Sequence, residues 1–157
     1  KGYLKDAIVA IVADHGESLG ERDLYTHANS VHEPVLRIPF ILISYGFTPK
    51  DFSNFHAESS QVDISPTILD MLNMPIPKSW VGLSMQSPDT RKYTFFRQGL
   101  ESGLIDLTDS KNIWKYWVNL NTGTDFAFNL SIDPGESMNR IDLIPPTRKS
   151  EWRRNIH

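Results

Sequence analysis

Two metal-ligating residue types stand side by side near the start of the chain, at Asp14 and His15, and Glu17, His27 and His32 follow closely. A hard carboxylate oxygen beside an imidazole nitrogen suits a divalent cation that acts as a Lewis acid. A glycine follows the pair, so the chain can turn and bring both side chains toward one centre. The spacing alone leaves two interpretations open, a metal site and a capped turn.

The elements that must position this pair begin with a short apolar, β-branched run over residues 7–13. Such a run is typical of a strand buried on both faces, as in a parallel sheet covered by helices. Open α/β sheets bind ligands at the carboxyl ends of their strands, where Asp14 and His15 would lie. A second strand is predicted at residues 38–43. A helix is predicted over residues 63–72, with Asp63 as a candidate cap.

The second half of the chain has a different sequence pattern from the first. It contains aromatic, strand-like runs separated by turn residues. A hairpin turn is predicted at residues 121–123 and a final amphipathic helix at residues 150–156. The predicted organisation is an α/β part over residues 1–90 and a small antiparallel subdomain over residues 91–157. The runs predicted as strands cover residues 93–97, 113–120 and 125–130.

Several candidate functional side chains have simpler structural explanations. Glu17 and Glu21 are predicted as loop caps or solvated charges, and His32 as a packed, hydrogen-bonded histidine. Three aromatic residues are predicted as core of the small sheet rather than a sugar platform: Trp114, Tyr116 and Trp117. Four basic residues near the end are predicted to form a solvated helix face: Arg148, Lys149, Arg153 and Arg154.

Composition excludes several functional classes for these residues. The chain has 157 residues, with 16 basic against 19 acidic residues and a net charge of −3, so it lacks the basic footprint of a nucleic-acid binder. Its longest apolar run is far shorter than the roughly 20 residues that span a bilayer. It has no cysteine, which excludes disulfides, thiolate metal sites and cysteine nucleophiles. The first residue is Lys1 and a strand follows almost at once, so we expect a piece of a longer protein.

Longer sequence strings resemble the sulfatase family of the alkaline phosphatase superfamily. The string ADHGESLGE at residues 13–21, then YTH at 25–27 and PVLRIPF at 34–40, is similar to the family's second metal-binding segment. VDISPTILD at residues 62–70 resembles a family helix, and NLSIDPGESMN at residues 129–139 its closing strand and turn. The resemblance implies the C-terminal part of an α/β sandwich, followed by a small antiparallel sheet and a terminal helix.

The resemblance also implies roles for individual residues. Asp14 and His15 stand where the family supplies two ligands to its catalytic metal. His27 stands where the family places a lysine or histidine against the sulfate or phosphate group, and it could stabilise charge there or protonate a leaving oxygen. The metal would be Ca²⁺ in a sulfatase, and Zn²⁺ or Mn²⁺ in the related phosphoethanolamine and phosphoglycerol transferases.

The family's nucleophile is missing from this sequence. Sulfatases make formylglycine within a Cys/Ser-x-Pro-x-Arg motif, whereas the matching position here is Ile144, which cannot serve. The acidic metal ligands of the family's first strand are missing as well. We therefore expect the C-terminal fragment of a hydrolase of sulfuric or phosphoric esters, inactive by itself, that needs the N-terminal half of the same enzyme as its partner. An apolar edge exposed in such a fragment would favour self-association.

Two alternatives stay open from the sequence. The chain could be a fragment of a phosphoethanolamine- or phosphoglycerol-type transferase, or a stand-alone, non-catalytic module that binds an anionic partner. The transferases are anchored in membranes through an N-terminal region that this chain would not show. The resemblance favours a periplasmic or extracellular location for the whole protein.

Overall fold

The computed structural model describes residue 2 and residues 4–28, 30–46 and 58–156. They form two compact units, one from within residues 1–12 and 39–90 and the other from within residues 13–38 and 91–157. The predicted domain division at residue 90 stays a prediction. In chain order the strands and helices are β1 (Ala7–Val12), α1 (Glu33–Leu36), β2 (Phe40–Tyr45), α2 (Ile64–Met71), β3 (Tyr93–Gln98), β4 (Glu101–Asp106), β5 (Trp114–Asn119), β6 (Asp125–Asn129) and α3 (Pro146–Asn155).

The first unit contains β1 and β2, which pair antiparallel from Ala7 opposite Tyr45 to Val12 opposite Phe40. Both predicted strands are confirmed with small shifts at their ends. The prediction that β1 is buried on both faces of a parallel sheet is wrong for this chain. In the described part of the chain β2 is its only neighbouring strand, and Ile11 and Val12 are 53% and 41% exposed.

The predicted helix near residue 63 is confirmed as α2, which follows a short 3-10 turn at Gln61–Asp63. The Asp63 carboxylate is buried and accepts the backbone N–H groups of Ser60 and Leu83, each at 2.8 Å. Asp63 therefore caps the turn before α2 and also fixes the chain beyond it, whereas its side chain makes no capping bond to α2 itself.

In the second unit, the described residues form an antiparallel sheet in the order β3-β4-β5-β6. The three predicted strands and the turn between β5 and β6 are confirmed. The sequence analysis missed β4, whose sequence ESGLID has no aromatic residue and contains Gly103. A Cβ at Gly103 would lie 2.4 Å from the carbonyl oxygen of Tyr116, so this glycine permits close approach of the two strands.

Replacing Gly103 with alanine should therefore destabilise the second unit by about 1–3 kcal/mol, because the added methyl group forces β4 away from β5. Gly135 is a matched control, since a Cβ there would meet nothing within 4 Å. Urea unfolding followed by tryptophan fluorescence measures both variants. An equal effect of the two substitutions would contradict the tight packing at Gly103.

Alternation along β5 builds a core on each face of the sheet. Tyr116 packs on one face with Leu104 and with Trp152 of α3, and Trp117 packs on the other face with Val31 and Phe128. The indole of Trp117 stacks on Phe128 with ring centroids 5.1 Å apart. The prediction that the aromatic residues of this strand form core is confirmed.

Helix α3 is longer than predicted, and most of its basic residues are paired rather than solvated. Asp106 of β4 accepts hydrogen bonds from Arg148 at 2.9 Å and from the Trp152 indole at 2.7 Å. Asp125 forms ion pairs with Lys149 and Arg153. The predicted solvated face is therefore wrong for three of its four members, because acidic residues in the sheet lie beneath the helix.

These two carboxylates make the second unit sensitive to acid. Burial alone would raise the pKa of Asp106 and of Asp125, but hydrogen bonds and ion pairs outweigh burial, and both pKa values lie below the ordinary 3.8. Their contribution to stability is complete above the unfolded-state pKa and is lost as pH falls through the lower folded-state pKa. We expect the free energy of unfolding to fall below about pH 5. Urea titrations at several pH values measure this free energy. The double substitution of Asp106 and Asp125 by asparagine should make it depend less on pH. If the pH dependence is unchanged in that variant, these two carboxylates are not the cause of the acid sensitivity.

Candidate functional site

Three polar side chains that follow β1 converge in the second unit. One ligand atom from each of His15, Glu17 and His27 lies within 4.8 Å of the other two. The two imidazole rings stack with centroids 4.2 Å apart, and Nδ1 of His27 lies 2.9 Å from Oε2 of Glu17. We call these three residues the histidine cluster. Its first and last residues, His15 and His27, are 12 positions apart in the chain. Its three side chains are each roughly half exposed.

The turn that carries His15 is pressed against α1. The N–H of Gly16 donates to the carbonyl of Val35 at 2.7 Å, and a Cβ at Gly16 would lie 2.0 Å from the carbonyl oxygen of Pro34. Only glycine fits such a close approach of two backbone segments. The position of His15 is therefore set by the position of α1.

His27 is held from two sides. The side-chain amide of Gln98, at the end of β3, donates to the carbonyl oxygen of His27 at 2.7 Å, and the Glu17 carboxylate accepts from the ring. Because an ionised carboxylate can only accept, the proton lies on Nδ1 and the Nε2 atom of His27 remains available. This arrangement can present Nε2 to an anion or to a metal ion.

The predicted metal ligands Asp14 and His15 lie close to each other. Oδ1 of Asp14 lies 3.8 Å from Nε2 of His15 and also accepts the His15 backbone N–H at 3.0 Å. Nδ1 of His15 lies 2.8 Å from the carbonyl oxygen of Gly16, a contact that places its proton on Nδ1 and leaves Nε2 free to coordinate. Imidazole nitrogens with nearby carboxylate oxygens form a donor set that fits a divalent cation, because imidazole suits Zn²⁺ and carboxylate oxygens suit Mn²⁺ and Ca²⁺.

The two glutamates of the loop have different roles. The Glu21 carboxylate accepts the Leu19 N–H at 2.7 Å, and hydrogen bonds of this kind hold the pKa of Glu21 below its ordinary value. The prediction that Glu21 caps the loop is confirmed. Glu17, for which the same role is predicted, instead contacts His27. Glu17 lies in the sequence between the Asp14-His15 pair and His27. That position was the signal that could have indicated its contact with His27.

A buried charge network lies beside α1 and connects it to the small sheet. Lys115 and Glu136 are fully buried, and Nζ of Lys115 lies 2.8 Å from Oε1 of Glu136 and 2.9 Å from Oε1 of Glu33. Oε2 of Glu136 accepts from Nδ1 of His32 at 2.9 Å and from the Glu33 N–H at 2.8 Å. We call Lys115, Glu136, His32 and Glu33 the Glu136 network. Burial alone would raise the pKa of Glu136, but His32 and Lys115 outweigh it and lower the pKa.

The sequence analysis anticipated this network only in part. The prediction that His32 is a packed, hydrogen-bonded histidine is confirmed, since its ring meets those of Trp117 and Phe128 edge-on. Lys115 and Glu136 were missed as partners. The available signal was a lysine inside an aromatic strand, at a position that shares its face with Trp117.

Comparison with known proteins finds sulfatases both by family model and by sequence similarity. The family model "Sulfatase" matches residues 1–74, which contain β1, the histidine cluster and α2. An arylsulfatase of Clostridium perfringens is 25% identical over 162 residues, covering 99% of this chain and 34% of the arylsulfatase. The chain is therefore similar to sulfatases, and the match to the family model lies in residues 1–74.

Two further matches show the range of proteins to which this chain is similar. A solved structure of a putative sulfatase from Bacteroides thetaiotaomicron is 19% identical with a TM-score of 0.65, and the likeness covers 94% of this chain and 34% of that protein. The GPI ethanolamine phosphate transferase 2 of Candida albicans is 24% identical over 132 residues, covering 73% of this chain and 14% of the transferase. The chain spans about a third of the length of the arylsulfatase and of the solved structure.

These matches confirm the sulfatase resemblance seen in the sequence and the predicted fold class, an α/β portion with a small antiparallel sheet and a terminal helix. The roles of Asp14, His15 and His27 stay predictions. None of the helices within the described ranges is long and apolar enough to cross a bilayer.

Proposed function

We propose that this chain supplies part of the active site of a metal-dependent hydrolase of sulfuric or phosphoric esters. The observation that carries the proposal is the convergence of His15, Glu17 and His27 within 4.8 Å, in the segment matched by the sulfatase family model. In this proposal the N-terminal half of the same enzyme supplies the nucleophile and the remaining acidic ligands, and the chain alone is inactive. The whole enzyme would act in the periplasm or outside the cell.

The chain's own residues have distinct tasks in this proposal. Asp14 and His15 hold the divalent cation, which supplies Lewis-acid polarisation of the ester when it is bound. Glu17 orients His27 so that its Nε2 faces the ester. His27 then stabilises the negative charge that develops on the non-bridging oxygens, or gives a proton to the leaving oxygen. The open setting of the cluster leaves room for the missing half of the site.

Apolar side chains are exposed on β1 and β2. This exposure supports the proposal that the N-terminal half of the enzyme packs against this chain. Ile11 and Ile41 are 53% and 50% exposed on paired strands, an unusual state for such residues in a completed α/β sheet. The preceding part of the enzyme would cover them. Self-association of the isolated chain through these strands stays a prediction.

A phosphotransferase is the second candidate function. Its support is the imidazole ligand at His15, since a nitrogen donor suits Zn²⁺ better than Ca²⁺, and the similarity to the Candida albicans transferase. Both candidate functions use Asp14, His15 and His27 in the same roles.

The proposal is tested with the complete enzyme, treated with a chelator and then reloaded with single metals, on para-nitrophenyl sulfate and para-nitrophenyl phosphate. Metal-dependent hydrolysis of either ester supports the proposal, and the preferred ester and metal separate the two candidates. Turnover that survives removal of the metal would contradict it. Glu17→Gln should lower turnover, because the Glu17 carboxylate contacts His27, and Glu21→Gln is its matched control, because Glu21 instead accepts the Leu19 N–H.

A further inference from the structure

The Glu136 network joins parts of the chain that are far apart in sequence. Lys115 lies in the small sheet and Glu136 in the turn after it, whereas His32 and Glu33 form the start of α1, 104 and 103 positions from Glu136. Lys115 and Glu136 have no solvent-exposed side-chain surface. Burial of two full charges is costly unless they are paired, and here Lys115 pairs with Glu136 and donates a hydrogen bond to Glu33, while Oε2 of Glu136 accepts from His32 and Glu33. These bonds from two buried side chains hold the start of α1 in place.

The position of α1 matters because the turn with His15 rests on it. Oε2 of Glu136 accepts two bonds at once, from the His32 ring and from the first N–H of α1. In the middle of this four-residue helix, the carbonyls of Pro34 and Val35 lie against Gly16. A continuous series of close contacts therefore runs from Glu136 through α1 to His15.

We propose that Glu136 is a positioning residue for the histidine cluster, acting through α1 and Gly16. This inference rests on the proposed function for the catalytic meaning of the cluster. Glu136 does not touch the cluster and takes no part in the reaction. It fixes the distance between His15 and His27, since Gln98 holds His27 from the same sheet that carries Lys115.

The Glu136→Gln variant tests this role. A glutamine has one carbonyl acceptor and one amide donor, so its amide group must face either the Lys115 ammonium or the donors of α1. Asp106→Asn is the matched control, because Asp106 is also a buried acceptor with several donors but anchors α3 on the sheet. The Glu136→Gln/Lys115→Met double variant removes the repulsion and lets the glutamine carbonyl accept from His32 and Glu33 again.

The main readout is amide hydrogen exchange of Gly16 in this chain, compared with the slowest amides of β5. We expect Glu136→Gln to speed amide exchange of Gly16 by about tenfold more than exchange of the β5 amides, because loss of the anchor of α1 makes local opening at Gly16 easier. In Asp106→Asn the two rates should change together, and the double variant should return Gly16 toward its original rate. If Gly16 follows the β5 amides in all variants, or if the double variant gives no recovery, the proposal is wrong.

Binding of Mn²⁺ gives a second readout and separates this proposal from the proposed function. We expect Glu136→Gln to weaken Mn²⁺ binding at the cluster about tenfold, and Asp106→Asn to leave it unchanged. Failure of the unaltered complete enzyme to bind Mn²⁺ at the cluster would count against the proposed function, whereas Gly16 exchange would still decide the positioning role. Equal loss of affinity in both variants would overturn the positioning role.

Discussion

Replacing His15 with alanine in the complete enzyme is expected to lower kcat/KM by more than about 100-fold. Losing only a residue behind a metal ligand costs about 10–100-fold, and loss of the ligand itself should cost more. The Asp14→Ala variant should lose metal-dependent turnover in the same way. The measurement combines steady-state kinetics with the bound metal content of each variant, because the expected cause is loss of the metal.

The control for this prediction is Glu21→Gln in the same loop. Glutamine keeps an acceptor for the Leu19 N–H, so activity and metal content should stay near those of the unaltered enzyme. Full activity of the His15→Ala or Asp14→Ala variant would contradict the assignment of that residue as a metal ligand. The similarity to sulfatases would not change this conclusion.

Replacing Lys115 with methionine should destabilise the second unit by about 3–5 kcal/mol, because it leaves the buried Glu136 carboxylate without its cation. The ammonium also lies over the rings of Phe96 and Trp117, at 5.3 and 5.7 Å from their centroids, and those contacts are lost too. For a chain of this size the expected fall in Tm is on the order of 10 °C. Thermal unfolding monitored by circular dichroism measures it.

A double-mutant cycle completes this second prediction. The Lys115→Met/Glu136→Gln variant removes both buried charges and should be more stable than Lys115→Met alone. Additive effects of the two single substitutions would contradict the ion pair between Lys115 and Glu136.

Local sequence patterns predicted most of the elements, since apolar runs, turn residues and aromatic alternation act over a few residues. The strands at Ala7–Val12 and Trp114–Asn119 are examples. The pattern failed for β4, because a glycine that allows close strand approach also resembles a turn residue. It also failed for the burial of β1, which depends on neighbours that this part of the chain does not supply.

The candidate site was predictable in its residue types but less so in its contacts. Asp14, His15 and His27 follow from chemistry and from the sulfatase resemblance, and the structure brings His15 and His27 together. The contact of Glu17 with His27 depends on how the loop folds back, which no local spacing specifies. The pairing of Lys115 with Glu136, like that of Asp106 with Arg148, joins distant segments and needs the three-dimensional fold.

The central claim is that the segment from Asp14 to His27 binds a divalent cation. The most direct test is a Mn²⁺ titration of the complete enzyme, followed by the NMR signals of the individual histidine rings. The account predicts that the His15 and His27 signals broaden first, while the His32 signal, whose ring is bound to Glu136, persists. Equal broadening of all three rings, or none at His15 and His27, would contradict the metal site.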